Sequence, residues 1–206
     1  MSARQWMTTT ATTCLLLFPS NAEARQSGVR IDLERGSEAE ARMADELRAL
    51  LEEYDLEPWI LTRDVRIDER AIPHSHPVLT LHTRHIGDES MLLAVFLHEQ
   101  LHWLEEQPWT APWQETMEAL QRLFPEVPPA TGGGARDDES TYRHLLVCDL
   151  EYQALSTVVG PDRARETLAR ITHYEWIYER VLNDPRIREV ALRNGFDVSR
   201  GASVSR

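Results

Sequence analysis

Five consecutive apolar residues, Leu93 to Leu97, run directly into His98-Glu99-Gln100-Leu101-His102. An apolar run of that kind does not suit a surface helix, which keeps a polar face. It predicts a helix over 88–106 that is buried in the core. Its two histidines stand four residues apart, so both imidazoles project from one face, one turn from each other. Imidazoles so placed can reach one metal ion at about 2.0–2.1 Å. Glu99, next to the first histidine, can contact a metal-bound water without binding the metal, the mechanical sense of H-E-x-x-H. The plainer alternative is a pair of core or surface histidines without metal.

A zinc site of this type wants a third protein ligand and an open fourth position. Glu105 is nearly on the face of His98 and His102 but lies a further turn along, and reads as a solvated or supporting residue. A better source is the stretch from Tyr142 to Leu155. At about 100° per residue, His144, Cys148, Glu151 and Leu155 share one face there, with Val147 and Val158 alongside. Asp149 points elsewhere. A glutamate in an apolar stripe is costly unless it is paired or bound to metal. The expected zinc ligands are therefore His98, His102 and Glu151, with His144 as the substitute for Glu151. If Glu151 binds, His144 is two turns earlier and can donate to the oxyanion of a tetrahedral intermediate. It can equally orient a ligand or satisfy a buried carbonyl. Cys148 reads as a small buried thiol before it reads as a ligand.

Other residues near the motif carry weaker signals. His74, His76, His82 and His85 precede the motif helix; strand alternation sends such neighbours to opposite faces, so a cleft-lining or structural role outweighs a second metal site. Ser75 has no G-x-S-x-G elbow around it and makes a poor nucleophile. Tyr174, Ile177, Tyr178 and Val181 form an apolar helical stripe, most simply core, from which Tyr174 or His173 can reach the site as a transition-state donor. Trp103, Trp109 and Trp113 suit core packing or a hydrophobic pocket wall.

The patterning implies one domain over 25–206. Val29–Leu33 alternates as a strand does. Ser37 caps a helix to about Tyr54, with Ala41, Leu47, Leu50 and Leu51 as its apolar face and Glu40 closing a capping box. Strands are expected over 59–67 and 77–83, the latter an edge strand flanking a substrate cleft. Helices follow over 88–106 and 111–124, then a Pro- and Gly-rich loop over 125–138. Three more are expected near 139–158, 161–182 and 185–194. Strands first and helices after make the fold class α+β.

Composition removes several functions. The formal net charge is −12, which repels phosphate backbones and argues against nucleic-acid partners. All 22 basic residues are arginine, so P-loop, Schiff-base and Ser-x-x-Lys chemistry are excluded. Residues 1–24 read as a secretory signal ending at Ala22-Glu23-Ala24, or as a disordered tail. The signal would place the protein in the periplasm or outside the cell, and its absence in the cytoplasm. Cleavage after Ala24 removes Cys14 and leaves Cys148 without an internal disulfide partner. No later stretch is long and apolar enough for a membrane span.

With His98-Glu99-x-x-His102 followed by Glu151 on a later helix, in the order strand, motif helix, ligand helix, residues 77–158 resemble the zincin metallopeptidases of gluzincin, thermolysin-like type. The Asn-Glu-x-x-Ser-Asp pattern of that group is absent, the local sequence being Leu150-Glu151-Tyr152-Gln153-Ala154. Metzincins match less well, because Trp103-Leu104-Glu105 follows His102 where they have a glycine and a third histidine. The resemblance implies a minimal, divergent zincin-like domain that cleaves peptide bonds of a peptide or protein substrate by Glu99-assisted attack of a zinc-bound water. The alternatives are a zinc-binding protein without turnover and a zinc hydrolase of a non-peptide amide.

Overall fold

The computed structural model describes residues 28–107 and 111–201. Among them run β1 (Arg30–Leu33), α1 (Glu38–Glu53), β2 (Asp64–Ile67), β3 (Leu79–Leu81), α2 (Glu89–Leu101), α3 (Ala111–Leu123), α4 (Asp138–Val159), α5 (Pro161–Leu168), α6 (Glu175–Asn183) and α7 (Pro185–Arg193). The architecture is α+β. The expected signal segment, Cys14 and Trp109 lie outside the described residues. No helix among the described residues is long and apolar enough to cross a membrane.

The sheet has the order β1-β2-β3 and is parallel throughout, with Ile31 opposite Val65 and Val65 opposite Leu79. Parallel neighbours oblige the chain to return to the end from which it started. Helix α1 makes that return between β1 and β2. Between β2 and β3 no helix does so: the chain turns after Ile67 and comes back along the outer edge of β3. There His74 and Thr80 exchange antiparallel backbone hydrogen bonds, His74 N–H to Thr80 O at 3.1 Å and Thr80 N–H to His74 O at 2.8 Å. The strand expected over 59–67 is confined to 64–67, because Glu57–Trp59 makes a 3-10 turn containing Pro58. Trp59 is held there by its indole N–H, which donates to Val198 O at 2.8 Å.

Ser37 caps α1 as expected, its Oγ accepting from Glu40 N–H at 3.2 Å. In the reciprocal half of the capping box, the Ser37 N–H helps hold the Glu40 carboxyl low, together with other backbone donors. The fully buried Glu40 carboxylate accepts from the backbone N–H groups of Arg35, Gly36 and Glu69, tying two loops together. The buried face of α1 is Met43, Ala44, Leu47, Leu50 and Leu51, while Ala41 is exposed.

Helices α2 and α4 form the centre. Capped by Asp88, α2 buries almost every residue from Met91 to Leu101 and then tightens into a 3-10 turn over His102–Glu106, so the expected helix over 88–106 is α-helical only as far as Leu101. Helix α4, capped by Asp137, packs against α2, α3, α5, α6 and α7. It stops at Gly160, whose φ of 88° is a conformation that favours glycine.

The single helix expected over 161–182 is two helices, α5 and α6, separated by residues 169–174. Trp176 N–H donates to Gly133 O at 3.2 Å, fastening the start of α6 to the glycine loop. Gly133 has φ 86°, and a Cβ there would come within 2.6 Å of Trp176 N. Tyr174, just before α6, takes the left-handed conformation with φ 58° and ψ 33°. This long-range fastening redirects α6 onto α4, where Ile177, Tyr178 and Val181 are buried.

Candidate metal centre

Three histidines converge, His98 from α2, His102 from the 3-10 turn that continues it and His144 from α4. His98 and His102 Nε2 atoms lie 3.2 Å apart. His144, on α4, brings a ring 5.7 Å from that of His98 and 5.0 Å from that of His102, centroid to centroid. One ring nitrogen from each of the three falls within 4.8 Å of the others. Two nitrogens bound tetrahedrally at about 2.05 Å stand about 3.3 Å apart, so the His98–His102 separation fits ligation of one ion without rearrangement.

Hydrogen bonding fixes which nitrogens are free. His144 Nδ1 is 2.7 Å from Ser140 O; a carbonyl only accepts, so Nδ1 carries the proton and Nε2 keeps its lone pair. His98 Nδ1 is 2.8 Å from Glu151 Oε2, and as donor to that carboxylate it likewise leaves Nε2 as the free nitrogen. Burial, reinforced by the neighbouring imidazoles, pushes His102 well below the ordinary histidine range and His144 down to about 3. Both rings are thus neutral at physiological pH, as metal ligation requires. Burial also opposes a charge on His98, but the Glu151 carboxylate, helped by Cys148, outweighs it and the net direction is well upward, so without metal this ring holds a second proton on Nε2 that ligation has to displace.

Glu151, expected as third ligand, faces the opposite nitrogen of His98 from the one turned to His102. It does not join His98 Nε2 and His102 around one point, whereas His144 does. Glu151 is fully buried; its Oε2 also accepts from Tyr178 O–H at 2.8 Å, and its Oε1 has no hydrogen-bond partner. Cys148, His98 and Glu151 form a second group of possible ligand atoms within 4.8 Å of one another. Using it would require His98 Nδ1 to give up its bond to Glu151. Burial pushes the Cys148 thiol up, which suits a packed thiol rather than a thiolate.

Glu99 is 6% exposed, and burial raises its carboxyl to about 7, with His98 and His74 pulling the other way. Tyr174 sits against His144, ring centroids 4.4 Å apart, and His173 packs behind it at 5.1 Å. An aromatic residue in the left-handed region costs on the order of 1 kcal/mol, a cost tolerated where neighbouring contacts over-determine the conformation. Glu105 pairs with Arg143 at 3.1 Å and is no part of the cluster.

His76 stacks on Trp103 with centroids 4.2 Å apart, and its Nε2 is 2.8 Å from Glu106 Oε1. None of His74, His76, His82 or His85 belongs to a group able to hold a metal among the described residues. Trp113 packs in the core edge-on against Phe196.

Two residues escaped sequence reasoning. Tyr178 passed for core, although its hydroxyl anchors Glu151. Gln100, an unassigned position of the motif, is fully buried: its Oε1 accepts from Leu61 and Thr62 N–H at 2.8 and 2.9 Å, and its Nε2 donates to Thr62 O at 2.9 Å. A glutamine on the buried helix, one turn from the apolar Phe96, was the available signal.

Comparison with family models, with curated proteins and with solved structures finds no match to this chain.

Proposed function

We propose that the protein is a zinc-dependent amide hydrolase of the metallopeptidase kind, holding zinc through His98, His102 and His144. The observation that carries this reading is the meeting of three imidazoles, two of them with Nε2 atoms 3.2 Å apart, beside a buried glutamate next in sequence to one of them. The donor set fits zinc, which favours nitrogen ligands in a tetrahedral arrangement with one position left open. In this reading the third ligand is a histidine and not the glutamate implied by the gluzincin resemblance, so the domain is a divergent zincin-like one.

Each residue has a role that follows from its surroundings. Glu151 and Tyr178 hold the His98 ring in orientation and keep its Nε2 free. Bound zinc supplies Lewis acidity toward a carbonyl and lowers the pKa of water. Glu99, whose carboxyl burial raises to about 7, would accept a proton in its ionised form during attack and return it to the leaving amine. Tyr174, against His144, donates to the oxyanion as charge develops there. Glu99 favours this reading over a protein that binds zinc without turnover, because a buried carboxylate next in sequence to a proposed ligand is the base that turnover needs and that binding alone does not.

Zinc-loaded protein assayed on short peptide and N-acyl amide substrates tests the reading. Hydrolysis should be abolished by chelation and restored by zinc. In Glu99→Gln it should fall by about 100-fold or more with zinc still bound. Zinc binding without turnover on any substrate would select the binding protein instead. Turnover indifferent to chelation would overturn both.

A further inference from the structure

We propose that the site takes short amide substrates engaged over a residue or two around the scissile bond, and not the interior of an extended polypeptide laid along β3. This rests on the zinc hydrolase reading above and adds a limit on substrate length. A long peptide gains affinity at a sheet edge by adding as a further strand, main chain to main chain. The edge that could serve here is β3, which packs on the motif helix α2.

That edge is already occupied. Along a strand, successive residues direct their backbone groups to alternate sides. Leu79 and Leu81 belong to the pairing with Val65 and Ile67 of β2, and Leu81 O accepts from Asp68 N–H at 3.0 Å. Thr80 is the residue left to face outward, and both its N–H and its C=O are spent on His74. The pairing is antiparallel, so the return segment from β2 takes the position an added strand would take.

The outer side of that segment offers little more. It reads Ile72-Pro73-His74-Ser75-His76-Pro77, and Pro73 and Pro77 have no N–H to give. Between them the N–H of His74 is already used on Thr80 and Ser75 is left to face outward, a single residue between the prolines, which are a recurring barrier to strand addition on an edge. The segment is also fixed at its far end, where His76 stacks on Trp103 and pairs with Glu106. It stays near the catalytic groups: His74 acts electrostatically on Glu99, and His76 on His102. Substrate must therefore reach the cluster without main-chain pairing along β3.

The test is a length series on zinc-loaded wild-type protein. Acetohydroxamic acid is titrated first, then alanine-based hydroxamates with one, two, four and six residues, built out on either side of the metal-binding group. Affinities should differ by less than tenfold between the two- and six-residue compounds on both sides. A rise of tenfold or more on either side would overturn the limit on length while leaving the metal site standing. Failure of acetohydroxamic acid itself to bind would overturn the zinc reading, and the length limit with it.

Discussion

His98 Nδ1 lies 2.8 Å from Glu151 Oε2, on the opposite side of the imidazole from the Nε2 atom that meets His102. A carboxylate in that position sets the tautomer and the plane of a ligating ring. Tyr178 completes the chain by donating to the same oxygen.

Weakening this support should loosen zinc without abolishing its site. Glu151→Gln and Tyr178→Phe are expected to retain stoichiometric binding under saturating zinc, with affinity lowered by about 10- to 100-fold in Glu151→Gln and by less in Tyr178→Phe. Competition titration with a chromophoric chelator measures both. Unchanged affinity in Glu151→Gln would remove the orienting role.

Gln100 offers a test of stability separate from metal. Its amide satisfies three backbone groups of Leu61 and Thr62. Gln100→Leu preserves the helix but strands those groups, so it should cost on the order of 2–3 kcal/mol in denaturant unfolding. A loss below about 0.5 kcal/mol would mean that the loop finds other partners.

Asp149 gives the protein a predicted pH response. Burial raises its carboxyl from the ordinary 3.8 to about 7, against the pull of Arg188. The folded state then holds the proton more tightly than the unfolded chain does. The stabilisation from this group is complete below about pH 4 and disappears as pH rises through about 7. Wild type should therefore lose stability relative to Asp149→Asn across pH 4 to 7, by an amount on the order of a few kcal/mol. Urea unfolding of both proteins at several pH values would show it; parallel profiles would contradict it.

Much of this arrangement is legible in the chain because local signals agree with burial. The apolar run into His98 marks α2 as a core helix, and the cap at Ser37 begins its helix where the structure has it. Helical spacing also puts His144, Cys148, Glu151 and Leu155 on one buried face. Spacing gives a residue's face but not which nitrogen of a facing ring it meets. His144 and Glu151 are seven residues apart, about 10 Å along the helix axis, so each reaches a different side of His98. The break between α5 and α6 left no trace because residues 162–182 contain neither glycine nor proline. It depends on the distant contact of Trp176 with Gly133. Nor does alternation reveal that the sheet is parallel, or that residues 72–77 return along its edge.

Zinc content by mass spectrometry, in wild type, His102→Ala, His144→Ala and Glu151→Gln purified and reconstituted alike, tests the ligand set most directly. The account predicts about one zinc per chain in wild type, its retention in Glu151→Gln at saturating zinc, and its loss in both histidine variants. Zinc kept by His144→Ala and lost by Glu151→Gln would return the third position to the glutamate. A wild-type protein that takes up no zinc would contradict the account as a whole.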